Sequence, residues 1–451
     1  MDVVMSRTFR INDHSIYDVI IVGAGISGLA AADYLIAHGK NVLLLEATNR
    51  TGGRILSLPY YDYALDLGAS WIHGIKNNPI AKIANELNLK TSPTVYSSQC
   101  LTNKFNSQTL FNSQGKILNA SQTLELFQLN KRFENFLDKM TIIHDKNKSV
   151  EAALNFFCNY HPLSKKEYFD LKFTLRSIYA YEYGDEISKI SVNVEQPYNN
   201  SLVKGENVLF PLGYSQILTP LLKKTKILLS RKVTKIVCHK KKISIVTNQG
   251  EFLSKQVIIS VSLGVLKSNQ IEFIPQLPDW KKSSIFKLGF NAFNKVYLVF
   301  NDVFWDKDKE WIAYMPDDEN INKSFEIMNY YKFTGLPILS VFGAGDLART
   351  VETWSNEKII SHLITLLKKL YNYKRLTPIS YFITRWIKNS HQRGSFTYLP
   401  FGVDPTIFEV LARPVDNKLF FSGEATSVTD PGTVHGAYLS GIKAAKQILM
   451  L

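Results

Sequence analysis

The sequence predicts an α/β protein with two lobes, and three observations support this prediction. A βαβ pattern opens the chain, with a glycine-rich turn between the first strand and the helix. Alternating segments typical of strands follow at residues 224–261 and 290–300. A strand, a second glycine-rich turn and a helix begin at Leu419. The 451 residues are enough to build two lobes around a large core.

The composition is typical of a globular protein, with 45% hydrophobic residues and no apolar run long enough to span a membrane. Residues 1–15 lack the apolar stretch of a secretory signal, so we expect a flexible arm there. Cys100, Cys158 and Cys238 lie far apart and show neither metal-ligand spacing nor a disulfide framework. We therefore predict a cytoplasmic protein without a bound metal.

The net charge of +14 raises the question of a nucleic-acid partner. The basic residues are scattered, however, and the tight run at residues 240–242 lies between two alternating segments. That position favours a solvated hairpin turn, so we predict no nucleic-acid partner. Some of the excess positive charge suits an anionic cofactor.

The first turn carries the spacing of a dinucleotide-binding motif, Gly23-Ala-Gly25-Ile26-Ser27-Gly28. Gly23 permits a tight turn, Gly25 lets the backbone approach a pyrophosphate, and Gly28 lets the helix pack close to the strand. The start of the helix, at Ile26 and Ser27, offers free N–H groups and the positive end of the helix dipole to phosphates.

The second predicted strand, residues 41–45, ends in Glu46. Its distance from the glycine-rich turn is the one expected for an acid that binds ribose hydroxyls, which disfavours NADP. A second glycine pair with flanking arginines follows, and it favours FAD over NAD because glycines and guanidinium groups suit a phosphate. This loop supplies Ala47, Arg50, Gly52, Gly53 and Arg54.

Further motifs occur at six separate places, namely residues 46–54, 66–74, 293–300 with Phe304-Trp305, 384–386, 394–398, and 421–424 with 433–437. Together they resemble the flavin-dependent amine oxidase family, above all its polyamine oxidases and lysine-specific histone demethylases. The resemblance implies a two-lobe, Rossmann-type flavoprotein. We expect an FAD-binding domain made of residues 1–85, 200–275 and 390–451, and a mixed α+β substrate-binding domain made of residues 86–199 and 276–389.

The resemblance also implies which residues contact the cofactor. Gly394 stands where monoamine oxidases carry a cysteine bonded to the flavin, so we expect FAD to be bound noncovalently. Glu424, preceded by Gly423, matches the acid near the ribityl and phosphate groups, and Val233 matches the adenine contact. The positions matching those near the flavin ring are Gly68, Ala69, Ser70, Trp71, Trp386, Thr433 and Val434.

Lys295 is the residue to which the resemblance gives the clearest catalytic role. Its local composition alone favours a solvated lysine on an edge strand. In the family, the matching lysine holds a water against flavin N5, and we expect the same role here. Tyr398 matches an aromatic residue that flanks the amine, Trp386 also borders the flavin, and His73 matches a residue at the mouth of the site.

Asp430 departs from the family, which often has an aromatic residue at this position. We hypothesise that Asp430 anchors a substrate nitrogen, whereas the alternative is a turn residue that faces solvent. If Asp430 has no such role, Glu182 and Glu206 are the next acids to test. Ser395 and Thr433 stand where monoamine oxidases have two tyrosines, which argues against monoamine oxidase activity.

These observations predict an enzyme that oxidises a small amine with O2. Hydride passes from the carbon of a C–N bond to the flavin, and the products are an aldehyde, a released amine and hydrogen peroxide. Spermine, spermidine or acetylated polyamines are the expected substrates. Alternatives are an L-amino-acid oxidase, for which no carboxylate-binding arginine is evident, a carotenoid or porphyrinogen desaturase, and a demethylase acting on methylated lysine. The motifs say nothing about the number of subunits.

Overall fold

The computed structural model describes residues 15–102, 105–142, 148–316 and 325–451. The expected N-terminal arm lies almost wholly outside the described residues. None of the helices in the described part of the chain is long and apolar enough to cross a membrane.

Strands of the described residues form two large sheets and three small ones. In chain order they are β1 (Ile16–Val22), β2 (Val42–Leu45), β3 (Ser57–Tyr60), β4 (Tyr63–Asp66), β5 (Trp71–Ile72), β6 (Ser92–Thr94), β7 (Gln108–Phe111), β8 (Asn207–Leu209), β9 (Ile227–Leu228), β10 (Val233–Cys238), β11 (Ile243–Thr247), β12 (Gly250–Ile259), β13 (Glu272–Ile274), β14 (Gly289–Phe290), β15 (Phe293–Val299), β16 (Trp311–Tyr314), β17 (Glu326–Asn329), β18 (Ile338–Ala344), β19 (Ser380–Ile383), β20 (Thr397–Tyr398) and β21 (Leu419–Phe421).

The helices range from single turns to 23 residues. They are α1 (Ile26–Ala37), α2 (Pro79–Glu86), α3 (Ser97–Thr102), α4 (Ala120–Ile142), α5 (Val150–Tyr160), α6 (Lys165–Leu175), α7 (Tyr181–Tyr183), α8 (Thr219–Leu222), α9 (Leu263–Lys267), α10 (Asp279–Lys287), α11 (Tyr331–Thr334), α12 (Gly345–Thr353), α13 (Asn356–Tyr371), α14 (Ile407–Ala412) and α15 (Val434–Leu449).

The first large sheet has the order β13-β10-β11-β12-β1-β2-β9, and β21 also pairs with β12. Its centre is parallel, since β1 runs parallel to β2 and β12, and β12 runs parallel to β21. Strands β1, β2 and β21 are almost entirely buried, as expected for a parallel sheet covered on both faces. The predicted mixed α/β class is confirmed.

Small residues bring α1 close to its neighbours. A Cβ on Gly28 would lie 2.1 Å from the carbonyl oxygen of Gly23, so the helix reaches the turn only because this residue is glycine. A Cβ on Gly441 of α15 would lie 2.1 Å from the carbonyl oxygen of Ser27. The two helices therefore pack closely beside the parallel sheet, and the start of α1 is fixed from both sides.

The middle of the chain contains the predicted hairpin and the strand that carries Lys295. Strands β10 and β11 form an antiparallel pair with residues 240–242 at their turn, so the predicted hairpin is confirmed. The second large sheet has the order β19-β15-β18-β17-β16-β7, and β15 lies between two partners. Lys295 of β15 is therefore on an interior strand, which excludes the solvated edge position favoured by local composition. The domain boundaries stay a prediction.

Candidate active site

A cavity of about 720 Å³ lies between the two large sheets. Its lining combines residues that follow the parallel strands, such as Gly25 and Glu46, with residues of the second sheet, such as Lys295 and Phe342. The predicted cofactor residues that line it are Gly23, Gly25, Ile26, Ser27, Glu46, Ala47, Gly52, Gly53, Arg54, Gly68, Ala69, Ser70, Trp71, Val233, Trp386, Gly423, Glu424, Thr433 and Val434. Residues from widely separated motifs thus line the same cavity.

The end of the cavity beside α1 has the features of a phosphate cradle. A Cβ on Gly25 would have no protein atom within 4 Å, so the backbone there faces open space. Gly25 is the N-cap residue of α1, and no side chain caps this helix. The first N–H groups of α1 are therefore available to an anion, and the helix dipole favours one. Gly28 lies outside the lining and has the packing role described above.

Glu46 is buried beside this cradle, and its orientation is set by three hydrogen bonds. Its Oε2 accepts from the backbone N–H of Ala24 at 2.8 Å. Its Oε1 accepts from the backbone N–H and the hydroxyl of Thr48 at 2.9 and 2.8 Å. A carboxylate has about four acceptor positions, so Glu46 retains acceptor capacity on the side that lines the cavity.

Arg54 and Glu424 connect the two ends of the chain at the cavity wall. The Nη1 of Arg54 lies 2.7 Å from Oε1 of Glu424 and also donates to the carbonyl oxygen of Ser395 at 2.7 Å. The other oxygen of Glu424 accepts from the backbone N–H groups of Thr397 and Gly432, each at 3.1 Å. Glu424 is thus held by three separate segments, which fixes the turn before α15.

Arg50 bonds to the backbone of its own loop. Its guanidinium group donates to the carbonyl oxygens of Gly53, Thr51 and Ile55 at 2.6, 3.1 and 3.4 Å. It does not line the cavity. Arg50 therefore stabilises the glycine loop by bonding its backbone, and its direct contact with the cofactor stays a prediction.

Lys295 is 3% exposed, and it is part of the cavity lining near β5. Its Nζ donates to the carbonyl oxygens of Asp66 and Gly68 at 2.9 and 2.6 Å, and to the hydroxyl of Ser70. The ammonium also lies 5.4 Å from the ring centroid of Trp71. These contacts hold the nitrogen beside residues 66–71, where the expected flavin-ring contacts lie.

The electrostatics at Lys295 depend on a second buried group, the carboxyl of Asp66. Burial lowers the pKa of Lys295 to about 8, and the negative charge of Asp66 opposes that shift. Burial raises the pKa of Asp66 to about 7, against hydrogen bonds from Ser57 and Tyr214. Among the described residues, Oδ2 of Asp66 has no hydrogen-bond partner. The two groups therefore titrate as a coupled pair near neutral pH.

Trp386 contacts the same segment, residues 67–68, that lies beside Lys295. Its indole N–H donates to the carbonyl oxygen of Leu67 at 3.2 Å, and its backbone N–H donates to Asn294 at 3.1 Å. A Cβ on Gly68 would lie 3.4 Å from the Trp386 ring and 1.8 Å from the carbonyl oxygen of Arg54. The absence of a side chain at Gly68 therefore allows the segment with Ala69 and Ser70 to pass between Arg54 and Trp386.

Tyr398 does not flank the cavity as expected. It pairs with Gly289 in the β14–β20 register, and its hydroxyl donates to Oδ2 of Asp185 at 2.9 Å. A Cβ on Gly289 would lie 2.4 Å from the Tyr398 ring, so the glycine makes room for it outside the lining. The aromatic residue of this segment that lines the cavity is Phe396, which sequence reasoning missed.

Asp430 is 4% exposed and lines the cavity, so it is not a turn residue facing solvent. Its Oδ1 lies 3.2 Å from Nε2 of His435, and its Oδ2 accepts from the hydroxyl of Thr429 at 2.6 Å. Although burial raises it, hydrogen bonds from His435, Ser201 and Thr429 hold the pKa of Asp430 below its ordinary value. His435 of the first turn of α15 thus pairs with a buried acid at the cavity wall.

His73 also lines the cavity, half-buried, with its ring centroid 5.3 Å from that of Tyr96. Burial, with a smaller effect from His435, lowers the pKa of His73 to about 3, so its imidazole is neutral at physiological pH. His73 therefore brings hydrogen-bonding capacity to this part of the cavity without adding positive charge.

Two glutamates provide further acidic groups at the lining, Glu182 and Glu326. Burial raises the pKa of each carboxyl to about 7, and serine hydroxyls oppose the shift. Glu182 is exposed, and it lines the cavity. Glu206, the other acid considered, is exposed and lies outside the lining. Glu326 was not predicted, although a glutamate in an apolar strand is a visible signal.

The residues present fit FAD. The open backbone at Gly25, the uncapped start of α1 and the carboxylate of Glu46 suit a pyrophosphate and a ribose. Helix α15 is capped by Thr433 and begins at Val434, and both residues line the cavity. The volume also agrees with a cofactor cavity, since ligand sites commonly measure about 300–1,000 Å³.

Comparisons with known proteins agree with this geometry. A family model described as flavin containing amine oxidoreductase matches residues 26–449. Polyamine oxidase 2 of Arabidopsis thaliana is 32% identical over 438 residues, covering 96% of this chain and 88% of that protein. Polyamine oxidase 5 of Oryza sativa subsp. japonica is 33% identical over 438 residues, covering 95% and 87%. Lysine-specific histone demethylase 1 homolog 2 of Arabidopsis thaliana is 29% identical over 455 residues, covering 96% of this chain but 58% of its own length.

Proposed function

This chain belongs to the flavin containing amine oxidoreductase family and is an FAD-dependent amine oxidase, and we propose that its substrates are polyamines. The resemblance stated from its motifs is thereby confirmed. The observation that carries the proposal is the cavity that joins Lys295 to the buried acid Asp430 and to the acid Glu182. An amine oxidase for a polycation needs both a reacting end and local negative charge, because the net charge of the protein repels such a substrate.

Bound FAD supplies the hydride acceptor and the centre that O2 reoxidises. The glycine-rich turn at Gly25, the start of α1 and Glu46 would hold its phosphate and ribose groups. The ion pair between Arg54 and Glu424 would hold the turn before α15 in place. These residues bind and orient, and they take no part in bond breaking.

Lys295 would position a water molecule at the reacting end of the substrate. Its Nζ donates to two backbone carbonyls and a hydroxyl, which engages all three N–H groups, so a bound water would share one of these N–H groups with its protein acceptor. A fixed N–H donor in a site enclosed by Trp71, Phe342 and Trp386 orients water better than a mobile surface lysine does. The same enclosure favours the neutral form of the reacting amine, because burial disfavours a charged nitrogen.

Oxidation of a C–N bond in spermine, spermidine or an acetylated polyamine would yield an aldehyde, a released amine and hydrogen peroxide. The direct test is a peroxide assay of the purified holoenzyme over polyamines, acetylated polyamines, monoamines and L-amino acids. Peroxide formation with polyamines or acetylated polyamines is expected to be at least about tenfold more efficient in kcat/KM than with monoamines or L-amino acids. Preference for a monoamine or an L-amino acid would contradict the proposal.

A further inference from the structure

Two neighbouring serines connect Glu182 and Glu326. Ser97 donates to Oε2 of Glu326, and Ser98 donates to Oε1 of Glu182. The serines are consecutive at the start of α3, so they hold the two carboxyl groups near each other. Ser177 donates to the remaining oxygen of Glu326. The two acids come from α7 and β17, which are distant in sequence, and both line the cavity.

This arrangement costs free energy. Two carboxylates held close together repel each other, and Glu326, which is 3% exposed, also loses solvation. Arg176, whose charge acts on Glu326, pairs through its Nη1 with Glu186. The charge of Glu182 raises the pKa of Glu326, and that of Arg176 lowers it, in addition to the larger effect of burial. A positively charged ligand in the cavity would relieve this repulsion.

An independent feature, the aromatic lining, indicates the same kind of ligand. Trp71, Tyr96, Trp311 and Phe342 all line the cavity and contact one another, with ring centroids 5.6 to 6.0 Å apart. Glu326 is directly opposite Phe342 in the antiparallel register of β17 and β18. Aromatic faces attract ammonium groups, most strongly where water is excluded. Carboxylates beside aromatic walls therefore suit a primary ammonium group.

We propose that Glu326 is a specificity-determining residue, which together with Glu182 forms an aromatic-walled subsite for a free terminal ammonium of the substrate. This inference rests on the proposed polyamine oxidase function and names the end of the substrate that the cavity selects. An ammonium in the subsite donates to the carboxylates and neutralises their repulsion. An acetylated end has no positive charge and brings an amide that needs its own partners. The enzyme therefore prefers free polyamines to forms acetylated at both ends.

The test compares spermine with N1,N12-diacetylspermine in the parent holoenzyme and in Glu326→Gln. Glutamine keeps the size of the side chain but removes its charge. We expect the KM for spermine to rise about tenfold, the size of effect for losing a desolvated charge contact. The kcat for spermine should stay within about threefold, and the KM for diacetylspermine within about twofold, because neither depends on this contact.

Glu310→Gln is the matched control. Glu310 is another buried glutamate next to the second sheet, bonded to the hydroxyl of Thr94 and the N–H of Val95, but it lies outside the cavity lining. This variant should leave both KM values unchanged. Should Glu326→Gln not yield folded holoenzyme, Ser97→Ala serves instead, since it removes a hydroxyl that favours the ionised carboxylate and should raise the spermine KM in the same direction.

Parallel changes for the two substrates, or no change for spermine, would overturn the subsite. An equal effect of Glu310→Gln on the spermine KM would overturn it too. The parent enzyme tests the proposed function separately, because an enzyme that oxidises neither spermine nor its acetylated form is not a polyamine oxidase. Oxidation of both with equal kcat/KM would leave the proposed function intact and remove the inference about Glu326.

Discussion

Oδ1 of Asp430 lies 3.2 Å from Nε2 of His435, and the two residues are 4% and 3% exposed. The acid precedes α15 and the histidine lies in its first turn. The pair therefore links the turn at the cavity wall to the helix that begins beside it. Asp430 keeps its charge at neutral pH, because its partners hold its pKa below the ordinary value.

Asp430→Asn should raise the KM for spermine by about tenfold, because a partly desolvated charge at the cavity wall is lost. The KM for a singly charged monoamine should change less, and kcat should stay within a few-fold. Steady-state peroxide assays with both substrates measure the difference. If the KM values across diamines and polyamines equal those of the parent, Asp430 only orients His435.

Lys295→Met should leave FAD binding intact while turnover falls by about 100-fold or more, in the range seen when a positioned polar group is lost. Methionine keeps most of the side-chain length in this buried place but cannot donate to Asp66, Gly68 and Ser70. Flavin content from the visible spectrum and stopped-flow rates of reduction and reoxidation provide the measurement. Turnover equal to that of the parent would show that Lys295 has no role beyond its strand.

Asp66→Asn should move the pH dependence conferred by Lys295 to lower pH. Burial lowers the pKa of Lys295 to about 8, and the ionised carboxylate of Asp66 raises it. Without that carboxylate the pKa of Lys295 falls further, so the lysine loses its proton at a lower pH than in the parent. Anaerobic flavin reduction between pH 6 and 10, with one substrate for both enzymes, reveals the shift, and Lys295→Met should abolish it. A shift to higher pH would contradict the coupling.

Gly25→Ala should weaken FAD binding, whereas Gly28→Ala should lower the thermal stability of the protein. A Cβ at Gly25 meets no protein atom, so the variant should fold and lose affinity for FAD by about tenfold or more, because the methyl group occupies the phosphate cradle. A Cβ at Gly28 would lie 2.1 Å from a backbone oxygen, so that variant should lose thermal stability even without cofactor. Apoprotein melting and FAD titration separate the two. Equal melting temperatures of the two apoproteins would argue against this difference.

The flavin should be released by acid precipitation and identified as FAD. Gly394, with φ of +143°, stands where a covalent bond to cysteine would be made, and a Cβ there would lie 2.5 Å from the Phe290 ring. A cysteine would therefore not fit without rearrangement. Chromatography of the supernatant gives the result, and flavin that remains with the precipitated protein would refute noncovalent binding.

Structural elements that depend only on neighbouring residues could be predicted well from the sequence. The buried strand, the glycine spacing and Glu46 define the first βαβ unit because each residue acts within a short segment. Lys295 could be interpreted only through its motif, since nothing local indicates that β15 has partners on both sides.

Residues whose roles depend on distant partners were assigned less well. Tyr398 is drawn away from the cavity by Gly289 and Asp185, and neither contact is visible in residues 394–398. Glu326 gave a signal of the same kind as Lys295, a charged residue in an apolar strand, but no motif drew attention to it. The Asp430–His435 pair could have been found from an acid just before a helix with a histidine in its first turn.

The pairing of β12 with both β1 and β21 has a consequence for the biosynthesis of the enzyme. The glycine turn before α1 leaves the ribosome well before Glu424 and the start of α15. The cofactor pocket is therefore incomplete until these residues have been synthesised, and its long-range contacts slow folding. Cofactor loading must follow the synthesis of α15, and proteolytic loss of α15 would inactivate an enzyme whose Lys295 is intact.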